Sequence, residues 1–243
     1  MVNNKFFLLW MSVIITFAIV VYIIVYLIFG KHNNSEKYKN PKSKIVYINM
    51  DKNPERNEHM ISEFKNHNIT NYERFKGIDG KAPITEKDKS LFKKNSLTPG
   101  EIGCFLSHYY VWKKLIDSDY DYFVVSEDDS VFANDIEKGL RDVENFIKTN
   151  PNINYIINLS HEFEDKNYKF YNMKSKWVDQ GTRLYVITKK TAEKLLEITE
   201  SKRGDIYRPV DNFFIEETPK MIIYKPSITK KHGSLFESII GDR

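Results

Sequence analysis

Tyr122-Phe-Val-Val-Ser-Glu-Asp-Asp129 changes character abruptly along its length. From Tyr122 to Ser126 it is a continuous apolar run of strand length. Glu127, Asp128 and Asp129 follow without a break, so three carboxylates crowd the end of a strand. Like charges this close repel one another, and some partner must offset that cost. In open α/β sheets, ligands bind off the carboxyl ends of the strands.

Outward from this segment, strand and helix signals alternate. Thr98-Pro99-Gly100-Glu101 marks a helix start: a capping Thr, Pro at the first helical position and Glu three residues after the cap. Ile102, Phe105, Leu106, Tyr109, Trp112 and Ile116 then recur at three- and four-residue spacing and give that helix one buried face. Lys44–Met50 is a β-branched run and a first strand, Asp51–Pro54 a turn, and Pro54 opens a helix that reaches His67. Tyr72–Ile78 is a second strand, and residues 79–96 are loop-like. Downstream, Asp135–Lys148 and Lys190–Thr199 are helical, while Asn154–Leu159, Leu184–Thr188 and Met221–Tyr224 are strands. This alternation predicts an α/β sandwich around a mostly parallel sheet.

The N-terminus follows another rule. No charged residue occurs from Phe6 to Phe29, and a helix of that length reaches about 36 Å, enough to cross about 30 Å of hydrocarbon with some tilt. A cleaved signal peptide would have an apolar core of about 7–15 residues and a small-residue cleavage site. Here the run ends Tyr26-Leu-Ile-Phe-Gly-Lys31. The sequence therefore predicts a single-pass membrane anchor over 6–29, a polar linker over 30–43 and one catalytic domain over 44–243. Lys5 alone precedes the span, whereas Lys31, Lys37, Lys39, Lys42 and Lys44 follow it. That bias favours a cytosolic domain, but large domains translocate largely regardless of charge, so a lumenal, Golgi-type placement stays open.

Charge and cysteine content narrow the classes. The chain carries 37 Lys and Arg against 33 Asp and Glu, a net charge of +4, with the two signs interspersed. No basic stripe with interleaved aromatics is present, which argues against a nucleic-acid partner. The single cysteine, Cys104, excludes an intrachain disulfide and cysteine-based zinc sites. Within its apolar helical pattern it reads as a small core residue.

The acidic triplet admits two readings. Hard divalent cations such as Mn²⁺ or Mg²⁺ prefer carboxylate oxygens and keep water and phosphate as further ligands. A cation bridging the phosphates of a nucleotide-sugar would neutralise charge on the departing diphosphate. A solvated acidic turn is the plainer alternative. A Mg²⁺-dependent phosphotransferase would need a Gly-rich loop after the first strand, and Asp51-Lys-Asn-Pro54 is not one.

A set of blocks in fixed order adds to this. Thr98-Pro-Gly-Glu-Ile-Gly-Cys-Phe-Leu-Ser-His108 followed by Val124-Val-Ser-Glu-Asp-Asp-Ser-Val131 resembles the central signature of glycosyltransferase family 25. Val46-Tyr-Ile-Asn-Met-Asp-Lys-Asn-Pro-Glu-Arg56, Phe75-Lys-Gly-Ile-Asp-Gly80, Gly181-Thr-Arg-Leu-Tyr-Val-Ile-Thr188 with Ala192, and Pro209-Val-Asp211 are similar to its other blocks. Met50 replaces the usual Leu, Arg183-Leu184 stands where Ala is usual, and 161–178 looks variable.

The resemblance implies an A-type glycosyltransferase fold, Rossmann-like, and a UDP-sugar donor, UDP-galactose or UDP-glucose. It implies transfer with inversion to a hydroxyl on a glycan or a hydroxylated protein. Glu127 and Asp129 would then be the metal ligands, with His232 a third, and Asp128, His108, Arg56 and Lys231 would serve the donor. His108 would contact donor phosphate, order the acidic motif, or be a satisfied structural histidine. Arg56 would meet the diphosphate or be a solvated helix residue, and His232 a ligand or an exposed loop histidine. Inversion needs a base on the acceptor side, and Asp211 is the candidate, with Glu216 and Glu217 as substitutes. Asp211 could alternatively cap the helix it starts. The rival from another class is a membrane-tethered carbohydrate-binding or scaffold protein that keeps the fold without turnover.

Overall fold

The computed structural model describes residues 10, 14–21, 41–154, 156–160, 169–173, 181–217, 221–225 and 227–229. The chain divides into two compact units, Met1–Tyr38 and Lys39–Arg243. In the first unit residues 14–21 are helical, and their large apolar side chains, such as Ile14 and Phe17, are exposed. No helix among the described residues is long and apolar enough to cross a membrane. The remainder of the expected anchor, and most of the expected linker, lie outside the described residues.

In the second unit, strands and helices follow in the order β1 (Ser43–Asn49), α1 (Pro54–Asn66), β2 (Tyr72–Lys76), α2 (Glu86–Lys89), α3 (Pro99–Ile116) and β3 (Tyr122–Glu127). Then come α4 (Ile136–Thr149), β4 (Ile157–Asn158), β5 (Lys169–Met173), β6 (Leu184–Thr188), α5 (Lys189–Ser201), α6 (Val210–Glu217) and β7 (Met221–Lys225). The strands form one sheet in the order β2-β1-β3-β6-β4-β7-β5.

The expectation of a mostly parallel sheet needs correction. β1 pairs in parallel with β2 and β3, and β4 with β7. β6 is antiparallel to both β3 and β4, and β5 to β7. Only β5 and β6 run against the others, yet β6 sits in the middle of the sheet and turns two pairings antiparallel. The sheet is mixed. Parallel pairing arises where a helical crossover brings the chain back to the same edge, as α1 does between β1 and β2.

Alternation along the strands divides the core into two layers. Val46, Phe123, Val125, Tyr185 and Ile187 face α3, α5 and α6. Ile45, Tyr47, Tyr122, Val124, Leu184 and Val186 face α1 and α4. Helices cover both faces, so the central strands are apolar throughout.

Smaller differences have local causes. The linker expected to end at 43 ends earlier, because Ser43 is already in β1 and the Lys42 N–H donates to Asp121 Oδ2 at 2.7 Å. The strand expected over Asn154–Leu159 shrinks to Ile157–Asn158. Thr85 caps a four-residue helix inside the expected loop 79–96 by accepting from the Asp88 N–H.

Candidate active site

Three strands deliver the acidic segment. β1 and β3 run side by side with Ile48 opposite Glu127, so Asn49 and Asp128 emerge together at their carboxyl ends. The chain leaves β1 for β2 on one side while β3 pairs on the other, which makes this the switch point where open α/β sheets bind ligands. β6 enters from the opposite direction, and Glu127 N–H donates to the Arg183 carbonyl at 2.9 Å. The residues just before β6 therefore meet the acidic segment.

The three carboxylates do not share a fate. Asp128 turns inward and accepts from Asn49 Nδ2 at 2.7 Å and from Arg56 at 3.1 Å. Burial raises its carboxyl above the usual aspartate range, and Asn49 and Arg56 only partly oppose that rise. Glu127 Oε1 accepts from Thr182 Oγ1 and lies 3.4 Å from His108 Nε2. Burial again works to raise this carboxyl, but His108 and Thr182 outweigh it and hold the group below the usual glutamate range. Asp129 is half-buried beside them.

Helix α1 straps the segment in place. Arg56, His59 and Glu63 lie on one face at spacings of three and four residues. Arg56 reaches Asp128, His59 Nε2 donates to the Ser130 carbonyl at 2.9 Å, and Glu63 Oε2 accepts from the Phe132 N–H at 2.6 Å. Asp128, Ser130 and Phe132 thus all bond one helical face. Arg56 and Asp128, expected at the donor, are both buried in this strap.

Helix α3 accounts for its own signature residue by residue. Thr98 and Glu101 form a complete capping box. A Cβ on Gly103 would sit 2.5 Å from the Ile78 carbonyl oxygen and 2.6 Å from Gly80 N, and one on Gly80 would sit 1.6 Å from the Pro99 carbonyl oxygen. Backbone meets backbone there, and only glycine fits. Ser107 Oγ donates to the Gly103 carbonyl at 2.7 Å and accepts from the Ile78 N–H at 2.8 Å, pinning the loop after β2. Cys104 and His108, one turn apart, point to Glu127: Sγ, an imidazole nitrogen and a carboxylate oxygen lie within 4.8 Å of one another. Excluding every cysteine-containing cation site on the count of one cysteine was therefore too broad, because a mixed donor set needs only one.

His108 is fixed from behind. Its Nδ1 bonds the Tyr185 hydroxyl at 2.8 Å, and Trp112 Nε1 donates to that same hydroxyl at 3.1 Å. His108 thus sits buried between Tyr185 and Glu127.

Asp211 reaches the same end of α3 through α6. Phe213 packs edge-on against Phe105 at 5.0 Å, and Phe214 against Tyr185 at 5.1 Å. Burial, then the charges of Glu127, Asp211, Asp129 and Glu101, push the Cys104 thiol well above its ordinary range. Asp211 lies in the first turn of α6, which begins at Val210, and its Oδ1 accepts from the Asn212 N–H at 2.8 Å. The substitutes are engaged elsewhere: Glu216 bonds Arg208 at 2.8 Å and Glu217 bonds Lys202 at 3.0 Å. Lys231 and His232 lie outside the described residues.

Asn49, Thr182 and Tyr185 escaped the sequence reading as site residues. Asn49 and Thr182 are small polar residues at strand ends, and Tyr185 sits in an apolar strand. Nothing in their spacing names their partners.

The oxygens of Glu127 and Asp129 at a strand end suit a hard divalent cation, and the inward turn of Asp128 lessens the crowding of charge there. The model of glycosyltransferase family 25 (LPS biosynthesis protein) matches residues 42–214, well over half of the chain. This chain belongs to glycosyltransferase family 25. Human procollagen galactosyltransferase 2 is 35% identical over 107 residues, covering 40% of this chain and 17% of the human protein. A putative glycosyltransferase of Acanthamoeba polyphaga mimivirus is 37% identical over 106 residues, 41% of this chain and 32% of its own. Lipooligosaccharide biosynthesis protein lic2B of Haemophilus influenzae is 33% identical over 93 residues, 37% of this chain and 35% of its own. The chain thus spans well under two thirds of these family 25 relatives.

Proposed function

We propose that the Lys39–Arg243 unit is an inverting, metal-dependent glycosyltransferase domain of A-type architecture. It moves galactose or glucose from a UDP-sugar to a hydroxyl on a glycan or protein. One arrangement carries the reading: Glu127 and Asp129 stand at the carboxyl end of β3, and Asp211 is on α6, whose Phe214 packs on the Tyr185 that holds His108 beside Glu127. A carboxylate pair for a cation and a separate carboxylate for a proton are what an inverting displacement requires.

Asp129 and Glu127 would hold a divalent cation, Mn²⁺ or Mg²⁺, which would supply positive charge to neutralise the departing diphosphate. Asp211 accepts the acceptor hydroxyl proton. His108 and Thr182 keep Glu127 ionised and oriented, while Asn49 and Arg56 hold Asp128 inward. Lys231 would serve the diphosphate and His232 would be a third cation ligand. The run Phe6–Phe29 anchors the domain to a membrane. The names of the human and Haemophilus relatives point to two acceptor classes, procollagen and lipooligosaccharide, which share a hydroxyl nucleophile.

A donor panel tests this. UDP release should appear with UDP-galactose or UDP-glucose and Mn²⁺, disappear in chelator and return on adding Mn²⁺. Full activity in chelator removes the cation from the reading. Sugar binding without turnover on any acceptor favours the scaffold alternative.

A further inference from the structure

We propose that Cys104, His108 and Glu127 form a second cation site, selective for a borderline ion such as Zn²⁺, that shares Glu127 with the acidic motif. The three donors lie within 4.8 Å of one another, and His108 Nε2 is 3.4 Å from Glu127 Oε1. Ligand atoms about 2.0–2.3 Å from a tetrahedral zinc are separated by roughly 3.3–3.8 Å. The cluster therefore needs to contract by at most about 1.5 Å around the ion, with water as a fourth ligand.

The surroundings are built for it. Cys104 and His108 are held one turn apart on a capped helix. His108 is 1% exposed, and its Nδ1 is fixed by Tyr185, which leaves Nε2 aimed at the cluster. Metal-binding histidines are commonly oriented by such a partner on the other ring nitrogen. Thr182 does the same for Glu127. The side chain of Glu127 keeps 24% exposure, so an ion can enter from its side.

Charge and softness set the selectivity. The Glu127 carboxylate beside Cys104 Sγ supplies negative charge that attracts a cation. Binding replaces the proton, giving a sulfur–metal bond and one released H⁺. A sulfur and an imidazole favour Zn²⁺ or Co²⁺ over Mg²⁺ and Mn²⁺, which prefer oxygen. Because Glu127 serves both sites, Zn²⁺ should inhibit whatever activity Mn²⁺ supports. That last consequence alone rests on the proposed function.

The test uses the purified, reduced full chain with Co²⁺ as a spectroscopic probe. One Co²⁺ should bind with a near-ultraviolet sulfur-to-cobalt charge-transfer band, be displaced by Zn²⁺, and resist equimolar Mg²⁺. Cys104→Ser should abolish the band, and Tyr185→Phe should weaken affinity about 10-fold or more. The chain has one cysteine, so labelling by a thiol reagent reports Cys104 alone even if a variant fails to fold. Zn²⁺ should slow that labelling at least about tenfold. No charge-transfer band in the wild type, or no protection by Zn²⁺, overturns the site. Neither readout requires catalysis, so failure of the donor panel leaves this result intact.

Discussion

At the scale of single residues, the acidic motif is divided by direction. Asp128 is buried with Arg56 at side-chain exposures of 10% and 8%, and burial still raises its carboxyl despite that pair. Such a pair adds little net stability, but removing one partner strands the other. Arg56→Met should therefore destabilise the domain by about 3 kcal/mol, read as a lower urea midpoint with an unchanged slope. A loss under about 1 kcal/mol would mean Asn49 alone satisfies Asp128. Asp211 and Asp129 separate by kinetics. Asp211→Asn should lower kcat by about 100- to 10,000-fold with little change in donor KM. Asp129→Asn should instead raise the Mn²⁺ concentration needed for half-maximal rate. Near-normal kcat in Asp211→Asn would move the base elsewhere.

At the scale of elements, α3 is positioned by contact with backbone. Gly103 lies where a Cβ would press on Ile78 O and Gly80 N, and neither neighbour is a side chain that can swing away. Gly103→Ala should cost at least about 1–3 kcal/mol. It should also push α3 from the loop after β2, carrying Cys104 and His108 off Glu127. Thermal unfolding with kinetics on the same sample checks both effects. Stability lost without change in KM for the cation would show that the shift is absorbed in the loop. The helix itself was legible in the sequence, since Thr98, Pro99 and Glu101 spell a start and the apolar spacing spells a face. What Gly103 and Ser107 do was not legible, because their partners come from the loop after β2 and approach only after folding.

At the scale of the molecule, paired carboxylates set the acid limit. Lys76 and Arg74 lower Asp51, Lys52 and the Lys81 N–H lower Asp79, and the Tyr109 hydroxyl, then Arg203, lower Glu200. Groups with depressed folded values bind fewer protons than the unfolded chain does, so stability rises with pH through their range. Their contribution is present above the ordinary carboxylate values and fades as pH falls below about 4. The midpoint of thermal unfolding should hold between pH 7 and 5 and drop on further acidification; a flat profile to pH 3 would contradict it. The start of the domain is also testable. Lys42 and Ser43 are bonded to Asp121 and Asn71, so a chain beginning at Lys39 should unfold cooperatively, and one beginning at Lys44 at lower temperature. Equal midpoints would place the start of the domain at Lys44.

Much local order was written in the sequence: six of the seven strands, the capped helix, the apolar faces and the carboxylates at a strand end, but not β5, which lies in the stretch read as variable. Periodicity and capping act between residues a few positions apart, and such patterns survive in one dimension. The direction of β6 was not readable, because parallel and antiparallel strands share the same apolar run when both faces are covered. The fate of each carboxylate was equally hidden. Asp128 is claimed by Asn49 and Arg56, Glu127 by His108 and Thr182, and all four partners are distant in the chain. Only tertiary structure could decide those pairings, since burial makes each one obligatory and burial exists only once the sheet is closed by its helices.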